Sequence, residues 1–527
     1  MPTLNWIGKE KVVTHHNDVP FRVLNRKYTF GDTPNSGNMI IHGDNLEALK
    51  ALLPEYEGRI KCIYIDPPYN TGEEKWTYND NVNDPSIRKW LGEVVGKETD
   101  DLTRHDKWLC MMYPRLVLLY KLLADDGAIF ISLDDNEIAN LRCICNEIFG
   151  ISNFITDFIW HKKIRPSNKL VDKEGNASLG ISANTEHIVC YAKKKEHLLF
   201  NIDSISEEYI KTTYRNPDKD PRGPWRTAPL WADSNTNKEK TLILDDGTEL
   251  TKKWFVNQET LNLLYANDLI YKAKGSISKK IFLSDALGQA QMNFLDADRF
   301  GTSEEGTKEY KLIMDSANFT NPKSIRLLEH IVSIIHSSND AIILDSFAGS
   351  GTTAHAVLNL NKRDGGRRRF ILCELGDYAD SITAERVRRV ISGYGNGKSR
   401  IEGTGGSFDF YELGETIFDP VSGNLNDNAD AEAIRRYVWF SETNSAYVAP
   451  SEDAHPFLLG SYQHNNYYFF YIKGEETCLD WDFLNTFTQK DKAEMYIIYA
   501  DRCVLTEEEM IRLNIRFKKI PRDIKRL

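Results

Sequence analysis

Apolar, β-branched runs that end in turn residues and lead into helical periodicity recur along the chain. One set comprises NMIIHGDN (38–45), IKCIYIDPPYN (60–70) and GAIFISLDD (127–135), and a second comprises AIILDSFAGSGTTAHAVLNL (341–360) and RRFILCELG (368–376). Strands apolar at nearly every position are buried on both faces, and their alternation with helices predicts a parallel sheet covered on both sides. The two sets read as halves of one α/β sheet of the Rossmann-like kind. Between them, residues 155–315 mix short strands, polar turns and aromatics without a clear period, which predicts an inserted α+β region. Residues 403–460 include GTGG (403–406) and DPVSGNLNDNAD (419–430) and are expected to be a loop-rich connector. Beyond it, YYFFYI (467–472), EMYIIYA (494–500), a helix from Thr506 and IRFKKI (515–520) predict a small C-terminal α/β domain over 461–527. The sheet then falls into two parts, 1–154 and 316–402.

At 527 residues the chain is too long for one core, and 41% hydrophobic residues suffice for several. The longest apolar stretch, Leu116 to Ala124, is interrupted by Lys121 and falls short of the roughly 18 residues of a membrane span. The first residues, MPTLNWIGKEKVVTHH, have no apolar core after a basic start, so no secretory signal is expected and the chain is placed in the cytoplasm. Eight scattered cysteines imply neither a zinc site nor a disulfide framework.

A net charge of -11 argues at first against a nucleic-acid partner. Residues 402–453, however, carry eleven acidic and two basic side chains and so hold nine of those charges. The remainder is close to neutral and contains basic clusters at WHKKIRPSNKLVDK (160–173), RDGGRRR (363–369) and RFKKIPRDIKRL (516–527). A solvated face is the commoner meaning of any one such cluster, so position must decide.

AIILDS, FAGSG and TTAHAVLNL read as strand, tight turn and helix, the setting of a glycine-rich ligand loop. Glycine allows backbone N–H groups to approach a ligand closely, and the helix N-terminus adds donors. Thr352 and Thr353 after Gly351 exclude a Walker A loop, which needs Lys there. Ala348 two positions before Ser350 excludes a G-x-S-x-G nucleophile elbow. Glu374 ends the next strand 25 residues after Gly349, near the spacing at which an acid holds ribose hydroxyls, and this favours an adenosine-containing cofactor.

IKCIYI leads directly into Asp66-Pro67-Pro68-Tyr69. Two prolines fix φ and leave carbonyls without their own N–H donors. A rigid tip with a carboxylate, a carbonyl and an aromatic face suits a planar base with an exocyclic amine: Asp66 and the Pro67 carbonyl accept its hydrogens and Tyr69 stacks on the ring. A plain proline turn would account for the prolines, but not for the flanking acid and tyrosine.

DPPY upstream of FAGSG, with a long insertion between, resembles the DNA amino-methyltransferases in the permuted order called the beta class. GDNLEALK (43–50), IDPPYNTG (65–72), DGAIFISLDDNE (126–137), EGTKEYK (305–311), NPKSIRLL (321–328) and FAGSGTTAHAV (347–357) are similar to blocks of the modification (Mod) subunits of type III restriction-modification systems. The resemblance spans about residues 38–410, and the chain is shorter than many such subunits.

The resemblance implies a methyltransferase acting with S-adenosyl-L-methionine on the N6 amine of adenine in double-stranded DNA, without a metal and with the base flipped from the helix. It assigns Asp66, Pro67, Pro68 and Tyr69 to catalysis. It assigns Phe347, Ala348, Gly349, Ser350, Gly351, Thr352, Glu374, Asn321, Lys323, Asp44 and Asn45 to the cofactor. Target recognition would fall to 155–315, with Lys162, Lys163, Arg165, Asn168 and Lys169 on DNA. It further implies a homodimer and a separate helicase-nuclease restriction subunit. The alternatives are N4-cytosine methylation, whose enzymes more often carry Ser in place of Asp66, a catalytically silent DNA-binding subunit, and methylation of RNA or a protein glutamine.

Overall fold

The computed structural model describes residues 3–524 except 34–35, 72–102, 166–181, 206, 234–238, 274–275, 287, 316–317, 337–338, 420–421 and 488–492. Asn168 and Lys169 therefore lie outside the described residues. The chain forms two compact units, one made of 1–200 and 293–527 and one of 201–292.

The larger unit is built on a ten-stranded mixed sheet. Its strands are β1 (Arg22–Phe30), β2 (Met39–His42), β3 (Ile60–Ile65), β4 (Leu123–Leu133), β5 (Phe154–His161), β6 (Thr185–Ala192), β7 (Phe294–Leu295), β8 (Ile342–Asp345), β9 (Arg369–Glu374) and β10 (Phe408–Thr416). In space the order is β1-β10-β2-β9-β8-β3-β4-β6-β5-β7. The six strands from β10 to β4 are parallel, while β6 runs antiparallel to both β4 and β5.

The run IKCIYI shows why the strands are apolar throughout. Successive side chains point to opposite faces, so Ile63 and Ile65 enter one core while Cys62 and Tyr64 enter the other. The first core is closed by helices α1 (Asn45–Tyr56) and α2 (Arg104–Leu122), the second by α3 (Ile325–Ile334), α4 (Thr352–Asp364) and α5 (Glu385–Ser392). No described helix is long and apolar enough to cross a membrane.

Two boundaries differ from the sequence expectation. The hairpin β5–β6 belongs to the main sheet, and the separate unit covers only 201–292. That unit holds a three-stranded sheet of Trp225–Pro229, Ser276–Phe282 and Ile270–Ala273 around Leu230, Leu242, Trp254 and Leu261, with Lys280 buried against Asp218 and Asp220 at 2.6 and 3.0 Å.

The stretch 403–460 is no mere connector. It supplies β10, an interior strand between β1 and β2, and the helix α6 (Ala431–Thr443), whose Tyr437, Val438 and Phe440 enter the first core. Its acids are answered from elsewhere in the fold: Glu412 by Lys27 at 2.8 Å, Asp409 by Arg26 at 3.8 Å, and Glu442 by Lys518 at 2.6 Å.

The C-terminal residues form a four-stranded sheet of Leu458–Tyr462, Asn465–Phe469, Met495–Ala500 and Ile515–Lys519. Tyr467, Phe469, Ile497 and Tyr499 of this sheet continue the first core against α6. The Glu442–Lys518 pair seals that joint, with both side chains mostly buried and the Tyr499 hydroxyl donating to Glu442 at 2.6 Å. Removing one partner of a buried pair strands the other charge, at about 3–5 kcal/mol. Lys518→Met is therefore expected to destabilise the joint by about 3 kcal/mol. Amide hydrogen exchange should show Met495–Ala500 opening far more readily than in the parent, and unchanged protection there would contradict the assignment.

Candidate active site

β8 pairs directly with β3, Ile343 opposite Cys62 and Leu344 opposite Ile63. Both strands are parallel, so the loops that follow them leave at the same edge. A cavity of about 180 Å³ opens between Asp66–Tyr69 on one side and Phe347–Ser350 with Glu374 on the other, and Asn321 and Lys323 line it as well.

The acidic loop is fixed from several directions. The Trp108 indole N–H donates to the Pro68 carbonyl at 2.7 Å, and Trp108 is fully buried. Asn70 adopts φ +58°, a region that asparagine tolerates better than most residues, and its amide donates to buried Glu137 and to the Arg104 carbonyl. His105 and Asn140 hold the same Glu137 at 2.6 and 2.7 Å.

At the tip, the Lys323 ammonium donates to both oxygens of Asp66 at 2.8 and 2.9 Å and to the Tyr69 hydroxyl at 2.8 Å, and it pairs with Glu186 at 3.0 Å. The Tyr69 hydroxyl also lies 2.8 Å from Asp66 and 2.7 Å from Glu186. Burial pushes the Asp66 carboxyl above the usual carboxylate range, and Lys323 pulls it back. Lys323, which the resemblance assigned to the cofactor, lines the cavity, and its ammonium caps the acidic loop.

On the other side the glycine turn is closely packed. Gly351 has φ +79°, and a Cβ there would lie 3.1 Å from the Thr383 carbonyl oxygen, so the turn admits no side chain without strain. Glu374 accepts from the Gly349 N–H at 2.7 Å, the Gly376 N–H at 2.9 Å and the Tyr378 hydroxyl at 2.6 Å, and burial pushes its carboxyl up.

Several expected contacts take other forms. The hydroxyls of Ser350 and Thr352 accept from the fully buried Arg386 at 2.7 Å each, so these side chains anchor the turn. Asp44 caps α1 through the Leu46 N–H and pairs with Arg115 at 3.2 Å, while Asn45 donates to the Ser346 carbonyl at 3.0 Å. Of the basic cluster, Lys162 pairs with Glu186 at 3.3 Å, and Lys163 and Arg165 are exposed.

Sequence reasoning missed Glu186, Arg115, Trp108 and Asp345. Asp345 had a usable signal, since it ends an apolar strand before a special turn as Asp66 does. The others sit inside ordinary apolar patterns.

A crevice at the carboxyl edge of a parallel sheet, with a glycine turn on one strand and an acidic aromatic loop on its neighbour, is where open α/β enzymes take their ligands. The chain belongs to the N6/N4 DNA methylase family, whose model, described as DNA methylase, matches residues 60–385. It is 35% identical over 69% of its length to the type III restriction-modification enzyme StyLTI Mod subunit of Salmonella typhimurium. It is 32% identical over 70% to the EcoPI Mod subunit of Escherichia phage P1, and 31% over 64% to the type II methyltransferase M.KpnI of Klebsiella pneumoniae. It spans 58%, 62% and 81% of those relatives. Among solved structures it matches the PvuII cytosine-N4-specific DNA methyltransferase with a TM-score of 0.33 at 14% identity, over 66% of this chain and 86% of that one.

Asp345 gives this site a pH signature. Burial raises its carboxyl to about 7, and it accepts from the Phe347 N–H at 3.1 Å and from the Thr353 hydroxyl. In the unfolded chain the same group ionises near pH 4. The native state thus holds the proton more tightly, and this group's contribution to stability is full below about pH 4 and lost as pH rises through about 7. Asp345→Asn imitates the protonated acid. Its melting temperature should gain on the parent between pH 5 and pH 8, and a gap independent of pH would refute the reading.

Proposed function

We propose that the chain is a DNA methyltransferase that uses S-adenosyl-L-methionine to methylate the N6 amine of adenine in double-stranded DNA, as the modification component of a type III-like restriction-modification system. The observation that carries this is the pairing of β8 with β3, which sets the glycine turn and the Asp66–Tyr69 loop over one cavity.

The residues present fit the cofactor. Glu374 and the backbone of Phe347–Gly351 would hold an adenosine moiety, since the carboxylate gathers donors at the turn and both Glu374 and Phe347–Ser350 line the cavity. Asn321, at the cavity wall, would hold its amino-acid end. Once bound, S-adenosyl-L-methionine supplies an electrophilic methyl group on sulfur.

The chain's own task is to prepare the amine. An adenine amine is a poor nucleophile because its lone pair is delocalised into the ring. Hydrogen bonds to Asp66 and the Pro67 carbonyl draw the nitrogen toward tetrahedral geometry, and Tyr69 stacks on the flipped base. Positioning of this kind supplies much of the rate gain. As the amine nitrogen takes the methyl group, the C–N bond would form while the methyl–sulfur bond breaks, its electron pair staying on sulfur as a neutral thioether; the nitrogen becomes positive, and its proton passes to the Asp66 carboxylate or to water.

Asp66 rather than Ser at the first loop position favours adenine over cytosine. Lys163 and Arg165, exposed beyond the end of β5, would position the DNA backbone. The Mod relatives belong to restriction-modification enzymes, which supports a restriction subunit as partner, and a homodimer is the expected assembly.

The test is expression in a methylation-free host followed by base-resolved modification mapping. N6-methyladenine at one recurrent site is expected; N4-methylcytosine would transfer the reading to the other amine, and an unmodified genome would refute it. Asp66→Ala should lower methyl transfer at least 1,000-fold while changing cofactor affinity less than about threefold, the pattern of an interaction made in the transition state. Calorimetry with S-adenosyl-L-methionine and transfer of tritiated methyl groups measure the two separately.

A further inference from the structure

The proposed reaction needs Asp66 as an anion, since only the carboxylate can accept both from the amine and from its neighbours. The site nevertheless gathers further acidic groups around it. Glu186 is nearly fully buried and stands within hydrogen-bond reach of the same tyrosine hydroxyl, and buried Asp345 ends the adjacent strand β8. Tyr64, on β3, is fully engaged with Ser132 at 2.8 Å and offers Asp66 no charge. The cations facing this cluster are Lys323, from the segment before α3, and Lys162, which meets the far oxygen of Glu186 at 3.3 Å.

Lys323 is held where it can act on both acids. Its side chain is 11% exposed, that of Glu186 3% and that of Asp66 27%, so Asp66 is the most open of the trio, and it lines the cavity together with Lys323. Three ammonium protons and one phenol proton serve two carboxylates within 3.0 Å.

We propose that Lys323 and Glu186 form an opposed pair of positioning residues that set the ionisation of Asp66: Lys323 holds it as a carboxylate, and Glu186 restrains Lys323 so that Asp66 keeps net negative charge for the amine. The inference rests on the methyltransferase reading and deepens it. Attraction from a cation at 2.8 Å favours the ionised form of a buried acid, and a second carboxylate at the same cation opposes it. Burial raising the Asp66 carboxyl, Lys323 lowering it and Glu186 raising it are the directions this arrangement produces. As methyl transfer makes the nitrogen positive, an Asp66 fully neutralised by lysine would give it little help. Glu186 shares the lysine's charge and leaves a residual negative field at the amine.

The two residues should therefore move the acid limb of the pH–rate profile in opposite directions, which a merely structural role would not do. The assay is kcat/KM for unmethylated genomic DNA from a methylation-free host, with saturating tritiated S-adenosyl-L-methionine, between pH 5.5 and 9. Lys323→Met should shift the acid limb upward by at least one pH unit, with a loss of tenfold or more at pH 6.5 that is partly recovered at pH 8.5. Lys323→Arg should restore most of the low-pH rate. Glu186→Gln should shift the limb downward and lower the plateau. Cofactor affinity by calorimetry should change less than threefold in all three.

Coincident acid limbs in parent, Lys323→Met and Glu186→Gln would overturn the inference and leave the methyltransferase reading standing. Loss of cofactor binding in Lys323→Met would overturn it by assigning the lysine to the cofactor. A parent chain that methylates no DNA would overturn the reading itself and the inference with it. Should Lys323→Met fail to fold, the direction of the Glu186→Gln shift still decides.

Discussion

The site depends on the parallel pairing of β8 with β3. These strands lie far apart in the chain, with the whole 201–292 unit between them, yet the sheet makes them neighbours. Parallel neighbours deliver their following loops to one edge, so the glycine turn and the acidic loop face one cavity with no further device. The antiparallel strand β6 adds to the same edge from the opposite direction. Its first residues lie beside the last residues of β4, His187 opposite Leu133, which brings Glu186 to the loop tip. The end of β5, paired with the start of β6, brings Lys162 there too.

What the sheet brings together, polar networks then hold still. The prolines fix the backbone of the acidic loop, Trp108 holds one of its carbonyls, and Asn70 ties its end to Glu137. A methyl donor and an acceptor nitrogen must be aligned to within a fraction of an ångström, and a mobile loop would lose that advantage. The cost is concentrated in buried charge: Asp66, Glu186, Asp345 and Glu374 crowd one edge of the sheet. Such crowding is expected where a structure serves chemistry rather than stability.

The parallel core was legible because strands buried on both faces are apolar at consecutive positions, a pattern a single sequence displays openly. The two loops were legible because glycine and proline at strand ends mark special backbone. β10 was not, since FDFYELGET carries an acid at every third position and follows GTGG, the signature of a loop. Its acids Asp409 and Glu412 are met in the sheet by Arg26 and Lys27 of β1, and pairings across such sequence distances leave no local trace. Ser350 and Thr352 look like ligand hydroxyls in a glycine turn, but Arg386 claims them from a helix more than thirty residues on. Glu186 sits in TEHIVCYA, where one acid beside an apolar strand reads as its solvent-facing end.

The main acceptors at this edge have donors within the chain. Glu374 has two backbone N–H groups and a tyrosine hydroxyl, and Asp66 has Lys323 and Tyr69. A ligand that adds to these carboxylates must therefore bring donors of its own. On the proposed reading this discriminates among bases before any groove contact is considered. An exocyclic amine presents hydrogens to Asp66 and the Pro67 carbonyl, whereas a keto oxygen in the same position would set acceptor against acceptor in a buried site. Leaving buried polar groups unpaired is the form of discrimination that reaches several orders of magnitude, where shape alone gives far less. The network around Asp66 thus fixes the loop and penalises any base that sets an acceptor against it.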